Sequence, residues 1–141
     1  MQLNMEKRRT WVPDYAENMK LPESERIEID YDKPAAYQRS LWETTYGERT
    51  KDGKLATYVK RDVKAILTNS DVKIRNLFYV EKGEDGKEKK IYIDTGMALA
   101  QAKNDFCYLL AEDLAREIIK ADIQGALAKN SEPASGSSSE A

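Results

Sequence analysis

Asp113 and Glu117 stand one helical turn apart, the spacing at which two carboxylates share a face and can hold a metal ion or divide acid and base work between them. Arg116 and Lys120 lie beside them, so the expectation is a solvated, ion-paired helix face rather than a site. Histidine is absent from the 141 residues. That removes the Ser/His/Asp triad, the Cys/His dyad and every zinc site built on imidazole. The single cysteine, Cys107, excludes an intrachain disulfide. It falls inside a helical pattern among Phe106, Leu109 and Leu110, which favours a small core residue over a reactive thiol. Gly83 to Lys87 and Gly47 to Lys54 are glycine-bearing. Neither has the four-residue spacing followed by Lys and Ser/Thr that cradles a phosphate, and both read as surface turns. The run from Asp85 also lacks the oxygen-ligand series of a calcium loop. No catalytic residue, cofactor or metal is expected, and the chain is not expected to be an enzyme.

Binding chemistry has two candidates. Arg49, Lys51, Lys54, Lys60, Arg61 and Lys64, with Tyr58 interleaved and Asp52 and Asp62 in opposition, could contact phosphates and stack on bases. The formal net charge of -2 and the absence of a binding motif argue against nucleic acid, so a solvated loop and helix face is preferred. Trp11, Tyr15, Tyr31 and Trp42 are expected to pack, although a tryptophan near an extended arm can also anchor a partner.

The elements that must position these residues follow from periodicity. Arg26 to Tyr31 alternates and predicts a strand at 26–31 with Ile27, Ile29 and Tyr31 on one face. Pro34 suits the first turn of a helix at 35–46, with Tyr37, Leu41 and Trp42 facing inward and Gly47 ending it. Leu55, Val59, Val63, Ile66 and Leu67 fit helical spacing and predict a helix near 56–68, although Thr57, Tyr58 and Val59 also suit a strand. Val72 to Val80 alternates as a strand at 72–80. Its partner is expected at 89–93 across the Gly83–Lys87 turn, where Asp-Gly takes positive φ readily. Asp94-Thr95-Gly96 caps a helical pattern at 97–123, either continuous or broken near Asn104-Asp105. The whole predicts one α+β domain over 1–128 with an extended N-terminal arm, then a disordered Ser/Gly-rich tail at 129–141. Lys7, Arg8 and Arg9 are followed by Trp11-Val12-Pro13-Asp14 rather than an apolar run, so no signal peptide is expected, and no stretch of 18 apolar residues spans a bilayer.

One order of features covers roughly residues 10 to 130. Trp11-Val12-Pro13-Asp14-Tyr15 is followed by Asn18, Leu21-Pro22-Glu23 and a strand closing on Pro34. Val72-Lys73-Ile74-Arg75-Asn76-Leu77, the Gly83–Gly86 turn, Thr95-Gly96 with Leu99 and a final helix come after. This resembles small proteins of tailed bacteriophages and prophages encoded near the tail genes, and is similar to tail assembly chaperones. The resemblance implies a non-enzymatic role in the host cytoplasm: binding the long helical tape-measure protein while tail-tube subunits polymerise around it. The alternative is a virion head-tail or tail-completion protein whose N-terminal arm laces into neighbours. Neither role implies a membrane, and either allows a homo-oligomer.

A protein that holds an amphipathic helix needs an apolar groove or stripe. Phe106, Leu110, Leu114 and Ile118 recur at helical spacing and are the expected partner-binding residues. A helix over 97–123 would run about 40 Å at 1.5 Å per residue, longer than a two-stranded hairpin can cover.

Overall fold

The computed structural model describes residues 6–131, with side chains described through Lys120. Ile27, Ile29 and Tyr31 alternate with Glu28, Asp30 and Asp32, which gives a strand one apolar and one charged face. That strand, β2 (Glu28–Asp32), is the middle of an antiparallel sheet between β1 (Arg8–Trp11) and β5 (Lys73–Arg75). Ile29, Tyr31 and Ile74 point into the core. On the other face the register sets each acid of β2 opposite a base or a hydroxyl: Arg8 opposite Asp32, Thr10 opposite Asp30, Arg75 opposite Glu28. Arg8 reaches Asp32 and Asp71 at 3.2 Å each, and Arg75 pairs with Glu28 at 2.8 Å and with Asp30. Cross-strand pairs of this kind contribute about 0.2–1 kcal/mol each, enough to fix register without dominating stability.

The expected N-terminal arm is an edge strand followed by the short α1 (Ala16–Met19). Asn18 ties this segment to the sheet. Its amide donates to the carbonyls of Pro13 (2.8 Å) and Ile27 (3.2 Å), and its oxygen accepts from the Ile27 N–H at 2.7 Å, all in a buried setting.

Three helices cover the apolar face: α3 (Val63–Asn69), α4 (Gly96–Gln101) and α5 (Asp105–Ser131). Each starts at a side-chain cap, where Asp62 accepts from Ala65 N–H, Thr95 from Ala98 N–H and Asn104 from Cys107 N–H. Ile66, Leu67, Leu99, Leu110, Leu114 and Ile118 join Ile29 and Tyr31 in one cluster. Burying each large side chain contributes roughly 1.5–3 kcal/mol. The mixed α+β class read from the sequence is the class observed.

Several boundaries differ from expectation. The helix read at 35–46 stops early as α2 (Ala36–Trp42), and the chain continues straight into strand β3 (Glu43–Arg49). Of its expected inward residues only Trp42 is buried, while Tyr37 and Leu41 are exposed. The helix read at 56–68 is instead strand β4 (Leu55–Arg61) followed by α3. β-Branched Thr44, Thr45, Thr57 and Val59 find cross-strand partners in this hairpin, and that pairing overrides the weaker helical spacing. Asp62 then marks the switch by capping α3.

The strand read at 72–80 is broken into β5 and β6 (Phe78–Lys82) by Asn76, which adopts φ 67° and donates to the Arg26 carbonyl at 2.8 Å. The inward side therefore changes from Val72 and Ile74 to Leu77, and Phe78 and Val80 turn outward. The strand read at 89–93 is β7 (Glu88–Tyr92), paired with β6. Both hairpins close through the same turn. Gly53 N–H donates to Thr50 O and Gly86 N–H to Gly83 O, each after an Asp and each at φ near +80°. The helical pattern at 97–123 is broken at residues 102–104 into α4 and α5, and α5 extends beyond 123. Of the expected disordered tail at 129–141, residues 129–131 belong to α5 and the rest lies outside the described residues.

Candidate partner-binding groove

Leu110, Leu114 and Ile118 are 0% exposed, and their place is the centre of the core. As a docking stripe these three are corrected. The expectation assumed that only a two-stranded hairpin faced the helix, whereas a three-stranded sheet and two further helices bury it. Phe106, one turn N-terminal to Leu110, remains 42% exposed and takes a different position.

Phe106 stands on one wall of an open groove of about 680 Å3 between the β6–β7 hairpin and the α4–α5 junction. The hairpin supplies Tyr79 and Ile91 on the same ribbon face as Leu77 and Ile93, and Phe78 and Tyr92 from the other face, the latter two paired across the ribbon with ring centroids 5.5 Å apart. Leu77 and Ile93 form the floor where the hairpin enters the core, and Ala98 and Ala102 keep the opposite wall low. The hairpin projects because Asn76 turns the chain out of the sheet just before it. Lys90 Nζ lies 4.7 Å from the Phe78 ring centroid, a cation–π contact on the hairpin's exposed side. Among the described residues, Lys103 is the one charged residue in the groove lining, beside Gln101 and Asn104. The groove thus has an aromatic body and a cationic end, which fits an apolar segment carrying an acidic group.

Phe106 is held from behind by Tyr15, edge to face at 5.8 Å. The Tyr15 hydroxyl donates to Asp113 Oδ2 at 2.5 Å, and Asp113 also accepts from Arg116 at 2.9 Å. Burial, with the Asp113 carboxylate beside it, holds the Tyr15 phenol above its ordinary pKa. Asp113 is therefore committed to Tyr15 and Arg116. This positioning contact was not legible in the sequence, because its partners are 98 residues apart. Cys107 also borders the groove but is 4% exposed, and burial pushes its thiol pKa up, as befits a packing residue. Among the described residues no group of three or more His, Cys, Asp or Glu side chains could hold a metal ion, and no helix is long and apolar enough to cross a membrane.

The basic stretch at 49–64 lies on the β3–β4 hairpin and the start of α3. Tyr58 stacks on Tyr46 across the hairpin, centroids 5.5 Å apart, so its ring is already partnered on one side. Trp11 is partly buried against the core.

Comparison with protein-family models, with curated proteins and with solved structures yields no match to any part of the chain.

Proposed function

We propose that this chain is a non-enzymatic protein that binds an amphipathic helical segment of another protein, and that it serves as a tail assembly chaperone of a tailed phage or prophage, holding the tape-measure protein soluble in the host cytoplasm. The observation that carries the binding role is the groove itself. Phe78, Tyr92 and Phe106 are each about half exposed around a floor made by the buried Leu77 and Ile93. Aromatic anchors at the centre of a concave apolar surface are what a helix-in-groove contact uses. The tail-assembly role rests on the order of sequence features from Trp11 to the final helix.

The test is co-expression with a tailed-phage tape-measure protein. The chain should raise the soluble yield of that protein and co-purify with it. Tyr92→Ser combined with Phe78→Ser should abolish both effects while leaving the chain folded, since the two side chains are 53% and 41% exposed. A folded double variant that still solubilises the tape-measure protein would remove the groove from the account.

A second reading, a head-tail or tail-completion protein retained in the virion, is favoured by the exposed β3–β4 hairpin, which contributes little to the core. It loses the lacing arm, because Arg8–Trp11 is hydrogen-bonded into the chain's own sheet. Purified particles discriminate the two: a chaperone is absent from them and a structural subunit is present at fixed stoichiometry.

A further inference from the structure

We propose that copies of this chain associate head to tail, the β3–β4 ribbon of one molecule lying on the outer face of α5 of the next. The ribbon is two seven-residue strands paired along their whole length, about 24 Å at 3.4 Å per residue. Two-stranded ribbons are marginal in water without something packed on a face. Here one face carries Leu55 and Val59, 68% and 53% exposed, with nothing of the molecule over them. Gly47 on the same face leaves room for Leu55, whose Cδ1 would be 3.1 Å from a Cβ at that position. The ribbon therefore presents a low aliphatic surface with a turn at its tip.

The complementary surface is the N-terminal half of α5. Tyr108 and Leu109 are 64% and 59% exposed there. Because all four apolar side chains are more than half exposed, ribbon and helix do not cover each other within one molecule. Charge selects the pairing. On the Leu55 face and at the turn the ribbon carries four cations, Arg49, Lys51, Lys54 and Arg61, against two carboxylates, Glu43 and Asp52, while Lys60 and Glu48 lie on the other face. Residues 105–120 of α5 carry four carboxylates, Asp105, Glu112, Asp113 and Glu117, against two cations. A basic aliphatic ribbon and an acidic apolar helix face attract each other and disfavour ribbon-on-ribbon or helix-on-helix pairing. Two different patches in contact make a heterologous interface, which propagates into rings or filaments rather than stopping at a dimer.

One ribbon face offers a few hundred Å2, below the roughly 800 Å2 per partner of a stable complex. The association is therefore weak, concentration-dependent and salt-sensitive. These residues are distinct from Phe78 and Tyr92, so the self-association stands or falls independently of partner binding in the groove.

Sedimentation velocity of the full chain across a concentration series, at low and high salt, reads the self-association. The expected result is a mass that rises past the dimer at low salt and falls back at high salt. Val59→Ser on the ribbon and Leu109→Ser on α5 should each weaken association at least tenfold, with circular dichroism unchanged because both positions are exposed. Mixing the two variants decides the geometry. Each retains one intact surface, so together they should form a heterodimer and nothing larger. A wild-type chain that stays monomeric throughout, an oligomer insensitive to both variants, or a mixture with no heterodimer each overturns the proposal.

Discussion

A Cβ added at Gly96 would sit 2.0 Å from the carbonyl oxygen of Leu67. The end of α3 and the start of α4 touch backbone to backbone there, and Val72 Cβ closes the same space at 3.1 Å. Side chains in a core can change rotamer to relieve overpacking, but a helix carbonyl cannot move without dragging its helix. Gly96→Ala is therefore expected to destabilise the chain by about 3 kcal/mol or more, read as a lower urea midpoint with an unchanged slope. A variant within about 0.5 kcal/mol of the parent would mean that α3 and α4 separate at little cost.

Asn18 ties the Pro13 segment to the start of β2 through three buried hydrogen bonds. Replacing it with Ala leaves the Pro13 and Ile27 carbonyls and the Ile27 N–H without their side-chain partner in a buried place. Unsatisfied buried groups cost about 1–3 kcal/mol each, partly recovered if water enters. A loss of about 2–4 kcal/mol is expected. Hydrogen exchange should locate the loosening at the Ile27 amide rather than in α5.

Much of this was legible in the sequence where one signal acted alone. The alternation at 26–31 gave β2 with its inward face correct, and Asp-Gly gave the β6–β7 turn. Failure came where two signals competed. Leu55 and Val59 recur at helical spacing, yet both point to solvent from a strand, because Thr57 and Val59 pair with Gly47 and Thr45 across the ribbon. Single-sequence periodicity cannot see a cross-strand partner. The groove is half legible: Phe106 is a candidate on the sequence alone and lines it, whereas the alternation through 72–80 gives no sign of the Asn76 turn that swings Phe78 and the hairpin outward. A non-glycine residue at positive φ leaves only the weak mark of an Asn.

Stability should fall at both ends of the pH scale, for opposite reasons. Glu28 is held below its ordinary pKa by the hydrogen bond from Arg75. For Asp30 burial acts upward, but the hydrogen bonds of Thr10 and Arg75 outweigh it and the pKa is lowered. Carboxylates depressed on folding contribute stability above their unfolded pKa near 4, and lose it as pH falls below that. Burial and the Asp113 carboxylate raise the Tyr15 phenol, and burial, then Glu117, pushes Tyr31 up to about 12. Phenols raised on folding contribute stability below about pH 10 and lose it as pH rises toward the folded values. Melting temperature against pH should therefore fall below about 4 and above about 10. Arg75→Ala should flatten the acid limb, and Tyr15→Phe the alkaline one. In an alkaline ultraviolet titration, two of the eight tyrosines should lag behind the rest.

Phe106, Leu110, Leu114 and Ile118 of α5 should separate cleanly on substitution. Leu114 and Ile118 are fully enclosed, so Leu114→Ala is expected to cost about 2–5 kcal/mol, and Leu114→Ser with Ile118→Ser should leave no folded protein. Phe106 is part exposed, and its main support is the Tyr15 ring. Phe106→Ala should leave a folded chain, yet it removes the wall that stands next to Cys107 on the groove side. The Cys107 thiol is shielded and its pKa is raised, so a disulfide reagent should react with it slowly in the parent and rapidly after unfolding. In Phe106→Ala the native-state rate should rise well above the parent's while the unfolded-state rate stays the same. If the rate is unchanged, Phe106 does not cover the groove floor, and Tyr15 and Asp113 position it for some other purpose.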